Sequence, residues 1–368
     1  MKKYIVVDCK NFANYNSGIA GYFKPLLKAS IEYFRDYDFI LTSFSVFDTN
    51  FLKGLSNWEI RIIPKKKFGI YFVDIIFYDL WTYPNALKKL DNNLLISPYY
   101  DFIIPNRFKD KAIITVHDLC YWEVGNCYSQ KVKLYHKFLL YLNISKAKKI
   151  ITVSNTSLKI IKKIFNKEIY EKCNIVYNTY EIHNENLKGT KKYNSKKRIL
   201  YTGGFEQRKN IDMLFKVVNS LKNEFDIELI FTGNFFDNIQ LKKMIEFYDL
   251  ESIVILTGIV TNEKLSVFYK ECDLVINISL CEGFGRSNLE AIINKKPLVC
   301  SDIEVFRELV GDYAIYCNPN SINSIKDAII KSFQKSLVIN SSIDLMRFSF
   351  VENKNRFLEI IENVLYAK

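Results

Sequence analysis

The stretch that decides the fold is LVINISLCEGFGRSNLEAII, residues 274–293. Its apolar start predicts a buried strand over Leu274–Ile278, and Leu289–Ile293 predicts a helix, so the residues between form a strand-to-helix turn. Such turns lie at the carboxyl edge of a parallel sheet, where ligands bind. Gly283 and Gly285 let the backbone approach a ligand, and amides at a helix start can donate to an anion. The stretch therefore predicts a site for a phosphate or a sugar hydroxyl.

Two acidic residues frame this turn, Glu282 and Glu290. Residues 287–290 also fit the S-x-x-E capping box, in which Glu290 would bond back to the amide of Ser287. Capping and ligand binding thus remain alternatives for Glu290, whereas the capping box does not account for Glu282.

The arrangement Glu282, Gly283-Phe284-Gly285 and Glu290 resembles the donor-site signature of retaining nucleotide-sugar glycosyltransferases of family 4. The resemblance implies that Glu282 binds hydroxyls of the transferred sugar and that the amides of the following residues touch the same sugar. It also implies that Glu290 binds the ribose hydroxyls of the nucleotide.

A second strand, turn and helix pattern covers residues 198–211. Arg208 and Lys209 are expected at the opening of its helix, where cations oppose the macrodipole, and this placement indicates an anionic ligand. A solvated basic loop is the alternative. The Arg-Lys-Asn step after Gly203-Gly204 is similar to the diphosphate-binding loop of the same family. The resemblance therefore implies that Arg208 and Lys209 contact the donor diphosphate.

A third pattern is the strand Ala112–Leu119, which contains the polar pair His117-Asp118. A lone histidine is more often structural than catalytic. Its position between Leu94–Tyr100 and Ile150–Ser157 resembles the N-terminal domain of the family, which implies that His117 lies against the donor sugar and the acceptor. Asp118 could orient the imidazole or serve as a simple turn residue.

The N-terminal strand Tyr4–Asp8 is followed by residues 14–22, which contain Gly18 and Gly21 and lead into a helix. These glycines do not form G-x-G-x-x-G, so a dinucleotide-dependent dehydrogenase is disfavoured, and a turn that needs two glycines is the simpler alternative. The family resemblance implies that Gly18 borders the donor phosphates.

Length and pattern predict two domains, because 368 residues exceed one typical core of about 250 residues. The alternation of strands and helices predicts parallel, doubly wound sheets. We expect an acceptor-binding domain over residues 1–180, a linker over 181–197, a nucleotide-sugar domain over 198–342, and a terminal helix over 343–368 that returns to the first domain. The resemblance implies the α/β GT-B fold, two Rossmann-like domains facing a central cleft.

Six strands are predicted after the linker from short apolar runs. They are Ile199–Tyr201, Ile227–Thr232, Val254–Leu256, Leu274–Ile278, Pro297–Cys300 and Ala314–Cys317.

The net charge of +12 favours anionic partners. The longest apolar stretch, Phe68–Trp81, is too short for the roughly 20 residues of a membrane-spanning helix. Residues 131–142 mix lysines with apolar residues at helical spacing, which suits either an anionic membrane surface or an amphipathic domain helix with a solvated basic face. No nucleic-acid-binding module is recognisable.

No metal or other cofactor is expected. The D-x-D match Asp36-Tyr37-Asp38 lies beside a strand pattern rather than in a ligand loop, and three-residue matches are common by chance. Eight scattered cysteines without C-x-x-C predict reduced thiols and a cytoplasmic protein, with peripheral membrane association as a further expectation.

The expected function is a metal-independent retaining hexosyltransferase that uses a nucleoside-diphosphate sugar, with GDP-mannose favoured by resemblance to mannosyl- and rhamnosyltransferases. The expected acceptor is a saccharide, in particular a glycan on a lipid carrier. The alternatives are a non-catalytic binder of nucleotide sugars or anionic glycans, and another GT-B enzyme such as a phosphorylase or an epimerase.

Overall fold

The computed structural model describes residues 3–13, 18–90, 94–180, 196–233, 235, 238–334 and 343–366. The chain packs into two compact units. The first consists of Met1–Tyr121, Ser129–Thr179 and Met346–Lys368, and the second of Trp122–Tyr128 and Tyr180–Leu345. The expected linker, residues 181–197, lies outside the described residues except for its last two positions.

Seven strands form the sheet of the first unit. They are β1 (Lys3–Asp8), β2 (Tyr37–Ser43), β3 (Trp58–Ile62), β4 (Leu94–Ser97), β5 (Ala112–Val116), β6 (Lys149–Thr152) and β7 (Cys173–Ile175). Every pair is parallel, and the order is β3-β2-β1-β4-β5-β6-β7.

Six strands form the sheet of the second unit. They are β8 (Lys197–Thr202), β9 (Ile227–Thr232), β10 (Val254–Gly258), β11 (Leu274–Asn277), β12 (Leu298–Ser301) and β13 (Ile315–Cys317). This sheet is also parallel throughout, in the order β10-β9-β8-β11-β12-β13.

Helices connect the strands in both units. They are α1 (Gly18–Tyr33), α2 (Tyr71–Phe77), α3 (Tyr83–Leu87), α4 (Cys120–Glu123), α5 (Gln130–Lys146), α6 (Asn155–Ile164), α7 (Lys167–Glu171), α8 (Ile211–Leu221), α9 (Ile239–Phe247), α10 (Asn262–Glu271), α11 (Arg286–Ile293), α12 (Glu304–Val310), α13 (Ile322–Gln334) and α14 (Phe350–Leu365). A π-helical turn, Tyr78–Thr82, joins α2 to α3.

The first six strands of each sheet follow the same order, and this order positions the ligand edge. In each sheet the chain runs outward from the first strand and then crosses to its other side, so the order reverses between β1 and β4 and between β8 and β11. Loops that follow the two central strands diverge at such a point and leave a crevice at the carboxyl edge. Each unit therefore has one topologically defined place for a ligand.

Helix α8 shows how the sequence covers a sheet face. Its buried side chains recur at helical spacing, so one side of the helix is apolar and packs on the second sheet. These side chains are Ile211, Leu214, Phe215, Val217, Val218 and Leu221.

Helix α14 belongs to the first unit although it ends the chain. The Phe357 ring meets the Phe23 ring of α1 edge-on, with the centroids 6.0 Å apart. The side chain of Asn353 accepts a hydrogen bond of 2.7 Å from the amide of Tyr177. The terminal helix thus completes the core of the unit that begins the chain.

The six strands predicted after the linker are all present, with ends that differ from the predicted ones by at most two residues. The parallel α/β architecture is therefore confirmed. The prediction was wrong at the start of α11, which begins at Arg286 rather than at Leu289. The polar residues Ser287 and Asn288 extend the helix because both are buried and bonded to Asn277 of β11.

Candidate active site

The candidate site lies where the strand order of the second sheet reverses. Arg208 and Lys209 follow β8, whereas Glu282 and Gly285 follow β11, its neighbour across the switch point. Two loops separated by more than 70 positions in the sequence are therefore brought together by the topology.

Arg208 and Lys209 lie in a short 3-10 turn, Gln207–Lys209, and not in the first turn of a helix as the sequence predicted. Asn210 follows in the left-handed conformation with φ of 60°, and α8 begins only after it. The side chain of Asn210 donates to the carbonyl of Ile278 at 3.3 Å and to that of Pro319 at 2.7 Å. Asn210 thus anchors the basic turn to the loop after β11.

Glu282 forms ion pairs with both cations of this turn. Arg208 Nη1 donates to Glu282 Oε2 at 2.8 Å, and Lys209 Nζ donates to Glu282 Oε1. Only 8 % of the Glu282 side chain is exposed, so this is a largely desolvated ion cluster. A carboxylate so shielded needs such partners, because an unpaired buried charge is strongly disfavoured.

The surroundings of Glu282 keep it ionised. Burial alone would raise its pKa, but the charges of Lys209 and Arg208 and their hydrogen bonds outweigh burial and lower the pKa to about 2. Glu282 is therefore a carboxylate at neutral pH, able to accept hydrogen bonds but not to act as a proton donor.

Arg208 has a second carboxylate partner, Glu206. Arg208 Nε donates to Glu206 Oε2 at 2.7 Å, and the Glu206 side chain is 51 % exposed. An exposed ion pair is worth little and is readily exchanged for another anion. Glu206 was not singled out from the sequence, because an acid two positions before an arginine is unremarkable in a charged loop.

A buried amide at the end of β11 holds the loop that carries Glu282. Asn277 Nδ2 donates to Ser287 Oγ at 3.1 Å and to Asn288 Oδ1 at 3.0 Å. Ser279 Oγ lies 2.7 Å from Asn277 Oδ1 and 2.9 Å from Glu282 Oε1. Asn277 therefore fixes both ends of the turn, a role that the apolar strand pattern did not reveal.

Gly285 allows the turn to enter α11. Its φ is +100°, and a Cβ at this position would lie 2.5 Å from Cε1 of Phe306. Both the left-handed backbone and the close approach require glycine here. Gly283 and Phe284, which complete the predicted donor loop, are buried next to it.

The capping-box alternative for Glu290 is wrong. The N-cap of α11 is Gly285, so Ser287 lies inside the helix and cannot act as the cap. Glu290 instead accepts a hydrogen bond of 2.7 Å from the Tyr269 hydroxyl of α10, and Arg286 Nη2 lies 3.7 Å from its other oxygen. Its carboxylate is therefore held from the side of α10.

His117 directly follows β5 in the first unit. Its ring meets the Tyr22 ring edge-on with the centroids 5.0 Å apart, and burial lowers its pKa to about 4 against the effect of a hydrogen bond with the backbone of Pro98. Among the residues that the structure describes, Nε2 has no hydrogen-bond partner although it is buried. His117 thus carries a neutral ring with one unused polar atom.

Gly18 is the first residue of α1, one turn before Tyr22. A Cβ there would meet no described atom within 4 Å, so packing does not demand glycine at this position. Of the two alternatives for Asp118, the structure supports the turn residue, since its Oδ1 accepts a hydrogen bond of 3.2 Å from the amide of Cys120. Gly18 and His117 belong to the first unit, and the other predicted site residues to the second.

The first unit also contains a buried lysine that sequence reasoning missed. Lys10 Nζ lies 3.2 Å from Asp79 and 2.8 Å from Asp101. Burial raises the pKa of Asp8 and of Asp79 to about 6, although the charge of Lys10 opposes this shift. Lys10 and Asp101 follow β1 and β4, so this cluster marks the switch point of the first sheet.

No group of three or more potential metal ligands occurs within the described ranges. Nor does any helix there have the length and apolar character needed to span a bilayer. Six of the eight cysteines are free thiols. The prediction of reduced cysteines is confirmed for these six, although cysteine spacing alone does not tell which thiols are oxidised.

The second unit matches a known protein family. Residues 183–341 match the family model described as "Glycosyl transferases group 1". The O-antigen chain mannosyltransferase RfbU of Salmonella typhimurium is 28 % identical over 252 residues, which are 68 % of each chain. The O-antigen chain mannosyltransferase B of Escherichia coli is 28 % identical over 262 residues, 68 % of this chain and 67 % of the relative.

Solved structures agree with the fold of the whole chain. Sucrose-phosphate synthase from Thermosynechococcus elongatus superimposes with a TM-score of 0.68 over 99 % of this chain and 95 % of its own, at 14 % sequence identity. The two parallel sheets and this likeness define a GT-B fold. The protein is a glycosyltransferase, and residues 183–341 of its chain are similar to the glycosyltransferase group 1 family model.

Proposed function

We propose that this glycosyltransferase moves a hexosyl unit from a nucleoside-diphosphate sugar to a saccharide acceptor, with retention of the anomeric configuration. The observation that carries the proposal is the cluster of Arg208, Lys209 and Glu282 at the switch point of the second sheet. It places two cations and one carboxylate, the groups that a diphosphate and a sugar hydroxyl require, in one desolvated place.

Mannose carried by GDP is the proposed donor sugar. Both relatives described above are named as O-antigen chain mannosyltransferases. The acceptor would then be a growing cell-surface polysaccharide or another lipid-linked glycan. We place the enzyme in the cytoplasm, at the inner face of the cell membrane, where such acceptors are elongated.

The donor diphosphate would bind at the turn Gln207–Lys209. Arg208 pairs with Glu206 and Glu282, and Lys209 pairs with Glu282, so the incoming phosphates must compete with a carboxylate. Glu206 is the partner more easily replaced, because it is half exposed whereas Glu282 is buried. Arg208 can then grip two phosphate oxygens with its planar group, and Lys209 supplies a point charge.

Glu282 would bind hydroxyls of the sugar. Its low pKa keeps it a hydrogen-bond acceptor, which suits hydroxyl donors. The amides of Gly283, Phe284 and Gly285 lie in the same turn and would donate to the sugar or to the diphosphate. Glu290, held by Tyr269, would accept hydrogen bonds from the ribose hydroxyls.

In the proposed reaction the acceptor hydroxyl oxygen bonds to the anomeric carbon while the bond from that carbon to the diphosphate oxygen breaks. The electron pair stays on the diphosphate, and the acceptor proton passes to the same leaving group. Arg208 and Lys209 stabilise the charge that develops there, so no metal ion is required by this scheme. His117, with a neutral ring whose Nε2 has no hydrogen-bond partner among the described residues, would border the donor from the first unit, as would Gly18.

Binding measurements test the donor assignment. Thermal shifts would be recorded with GDP-, UDP-, dTDP- and CMP-sugars and their free nucleotides, in the presence of a chelator. Stabilisation by GDP and GDP-mannose that is lost in Glu290→Ala is expected. Stabilisation by another nucleotide alone would correct the base, and a failure of every nucleotide to bind would overturn the donor site.

Product analysis separates transfer from the alternative activities. Proton NMR of the reaction with a lipid-linked saccharide should show a new α-glycoside from the α-linked donor. An epimerase would change the donor sugar without making a glycoside, and a binding protein would change neither. A β-glycoside product would contradict retention.

A further inference from the structure

The hydroxyl group of Ser279 has one proton and two hydrogen-bond acceptors. Ser279 is fully buried in the loop after β11. Its Oγ lies 2.7 Å from Asn277 Oδ1 and 2.9 Å from Glu282 Oε1. A serine hydroxyl donates through a single proton, so it cannot form both hydrogen bonds at full strength at the same time.

Neither acceptor can donate to Ser279 in return. Glu282 is a carboxylate at neutral pH and carries no proton. The side-chain amide of Asn277 presents its oxygen to Ser279, because the backbone amide of Ser279 also donates to Asn277 Oδ1 at 3.4 Å. Its nitrogen donates to Ser287 Oγ and Asn288 Oδ1 instead. The proton of Ser279 therefore has to be divided between Asn277 and Glu282.

One oxygen of Glu282 is fully engaged while Ser279 donates to it. A carboxylate offers about four lone-pair positions, two on each oxygen. Lys209 Nζ and Ser279 Oγ both approach Oε1, whereas Arg208 Nη1 approaches Oε2. If Ser279 turns its proton to Asn277, one position on Oε1 becomes vacant and the hydroxyl stays paired. A hydroxyl of a ligand can then donate to that position.

We propose that Ser279 is a positioning residue that turns its proton from Glu282 to Asn277 when a sugar hydroxyl binds to Glu282. Without a ligand the carboxylate holds the proton, because a charged acceptor forms a hydrogen bond about twice as strong as a neutral one. In the donor complex the sugar hydroxyl takes its place, and Asn277 keeps the Ser279 hydroxyl paired. The inference rests on the proposed binding of the donor sugar by Glu282.

This exchange lowers the affinity for the sugar. Ser279 gives up a charge-assisted hydrogen bond and gains a neutral one, and the difference corresponds to about a 5-fold change in affinity. Removing the Ser279 hydroxyl should therefore strengthen sugar binding, because nothing is then given up when the sugar hydroxyl arrives. Loss of an ordinary supporting contact would weaken sugar binding, so the direction of the change separates the two roles.

The test is isothermal titration calorimetry of the full chain with GDP and GDP-mannose, and in parallel with UDP and UDP-glucose. The quantity compared is the Kd of the free nucleotide divided by the Kd of its sugar, because this ratio isolates the contribution of the sugar. In Ser279→Ala the ratio should rise about 5-fold, with the Kd of the free nucleotide unchanged. Ser279→Thr keeps a hydroxyl and should restore the ratio of wild type.

Ser332→Ala is the matched control. Ser332 lies in α13 of the second unit and is buried, and its Oγ has no hydrogen-bond partner among the described residues. The substitution removes the same atom from a buried position, and the ratio should not change. Ser279→Gly is a second variant without the hydroxyl and should raise the ratio as Ser279→Ala does. Circular dichroism checks that each variant is folded.

Three results would overturn the inference and leave the donor site intact. An unchanged ratio in folded Ser279→Ala would show that the proton stays on Asn277 with and without the sugar. A lower ratio would make Ser279 an ordinary supporting contact, and an equal rise in Ser332→Ala would assign the gain to general loosening of the unit. If wild type binds none of the four nucleotides, the proposed donor site is wrong and the inference falls with it.

Discussion

Glu282 is the central residue of the ion cluster at the candidate site of the second unit. Arg208 and Lys209 neutralise it, and the buried Asn277 and Ser279 fix the loop on which it stands. Because the cluster is preformed, a donor would find its ligands already oriented. Removing one cation should therefore affect the reaction more than the stability of the fold.

A prediction at the residue scale concerns the protonation of His117. Burial lowers its pKa to about 4, whereas an unfolded histidine titrates near 6.5. Between these values the unfolded chain takes up a proton that the folded ring does not, so this contribution to stability is complete above pH 6.5 and is lost as the pH falls towards 4. In an NMR titration, the ring resonance that is absent in His117→Gln should stay at its neutral position down to about pH 5. A midpoint near 6.5 would show that the ring is not desolvated.

The sequence indicated individual site residues but not the contacts between them. The family resemblance indicated Arg208, Lys209 and Glu282, and the two cations expected at a helix start added local support. It could not show that these three form one ion cluster, since that contact depends on two distant loops meeting at a switch point. Buried amides such as Asn277 were missed because they interrupt apolar strands without a distinctive spacing.

At the scale of elements, the turn into α11 controls where Glu282 and Glu290 stand relative to each other. Gly285 adopts φ of +100° and serves as the N-cap, while Ser287 and Asn288 bind back to β11. The sequence predicted a turn here correctly, but the predicted helix start, Leu289, lies three residues after the observed start, Arg286. The physical reason is that buried polar side chains can lie in a first helical turn when a neighbouring strand satisfies them.

Gly285→Ala tests this turn. The substitution imposes a left-handed conformation on a residue with a Cβ and brings that atom to 2.5 Å from Phe306. We expect a loss of about 1–3 kcal/mol in the free energy of unfolding, measured with urea. Gly18→Ala is the matched control, because an added Cβ there has open space and the stability should be unchanged or slightly higher. Equal effects of the two substitutions would contradict the account.

At the scale of the whole molecule, the fold consists of two parallel sheets whose first six strands follow the same order. The parallel architecture could be predicted from alternating apolar runs and helical patterns, because the periodicity of apolar residues can be read within short segments of the sequence. The return of the chain end into the first unit is a long-range contact, and only the family resemblance suggested it. The expected domain limits remain proposals, and the linker at 181–197 falls mainly outside the described residues.

Phe357→Ala tests the contribution of α14 to the first unit. Phe357 is 1 % exposed and packs on Phe23 of α1, so its truncation should leave a cavity and cost about 3 kcal/mol or more. Val351→Ala on the same helix is the control, because that side chain is 61 % exposed and should change stability little. Urea unfolding followed by circular dichroism compares the two. If Phe357→Ala is as stable as the control, α14 does not belong to the core.

The measurement that tests the central claim most directly is the turnover of GDP-mannose, with a lipid-linked saccharide acceptor, by wild type, Lys209→Ala and Lys216→Ala. Lys209 contacts Glu282 at the switch point, whereas Lys216 pairs with Asp212 on the partly exposed side of α8. We predict that wild type releases GDP as it makes a glycoside, that Lys209→Ala lowers kcat by roughly 100-fold, and that Lys216→Ala leaves kcat unchanged. Undiminished turnover in a folded Lys209→Ala variant would contradict the assignment of this cluster to the leaving diphosphate.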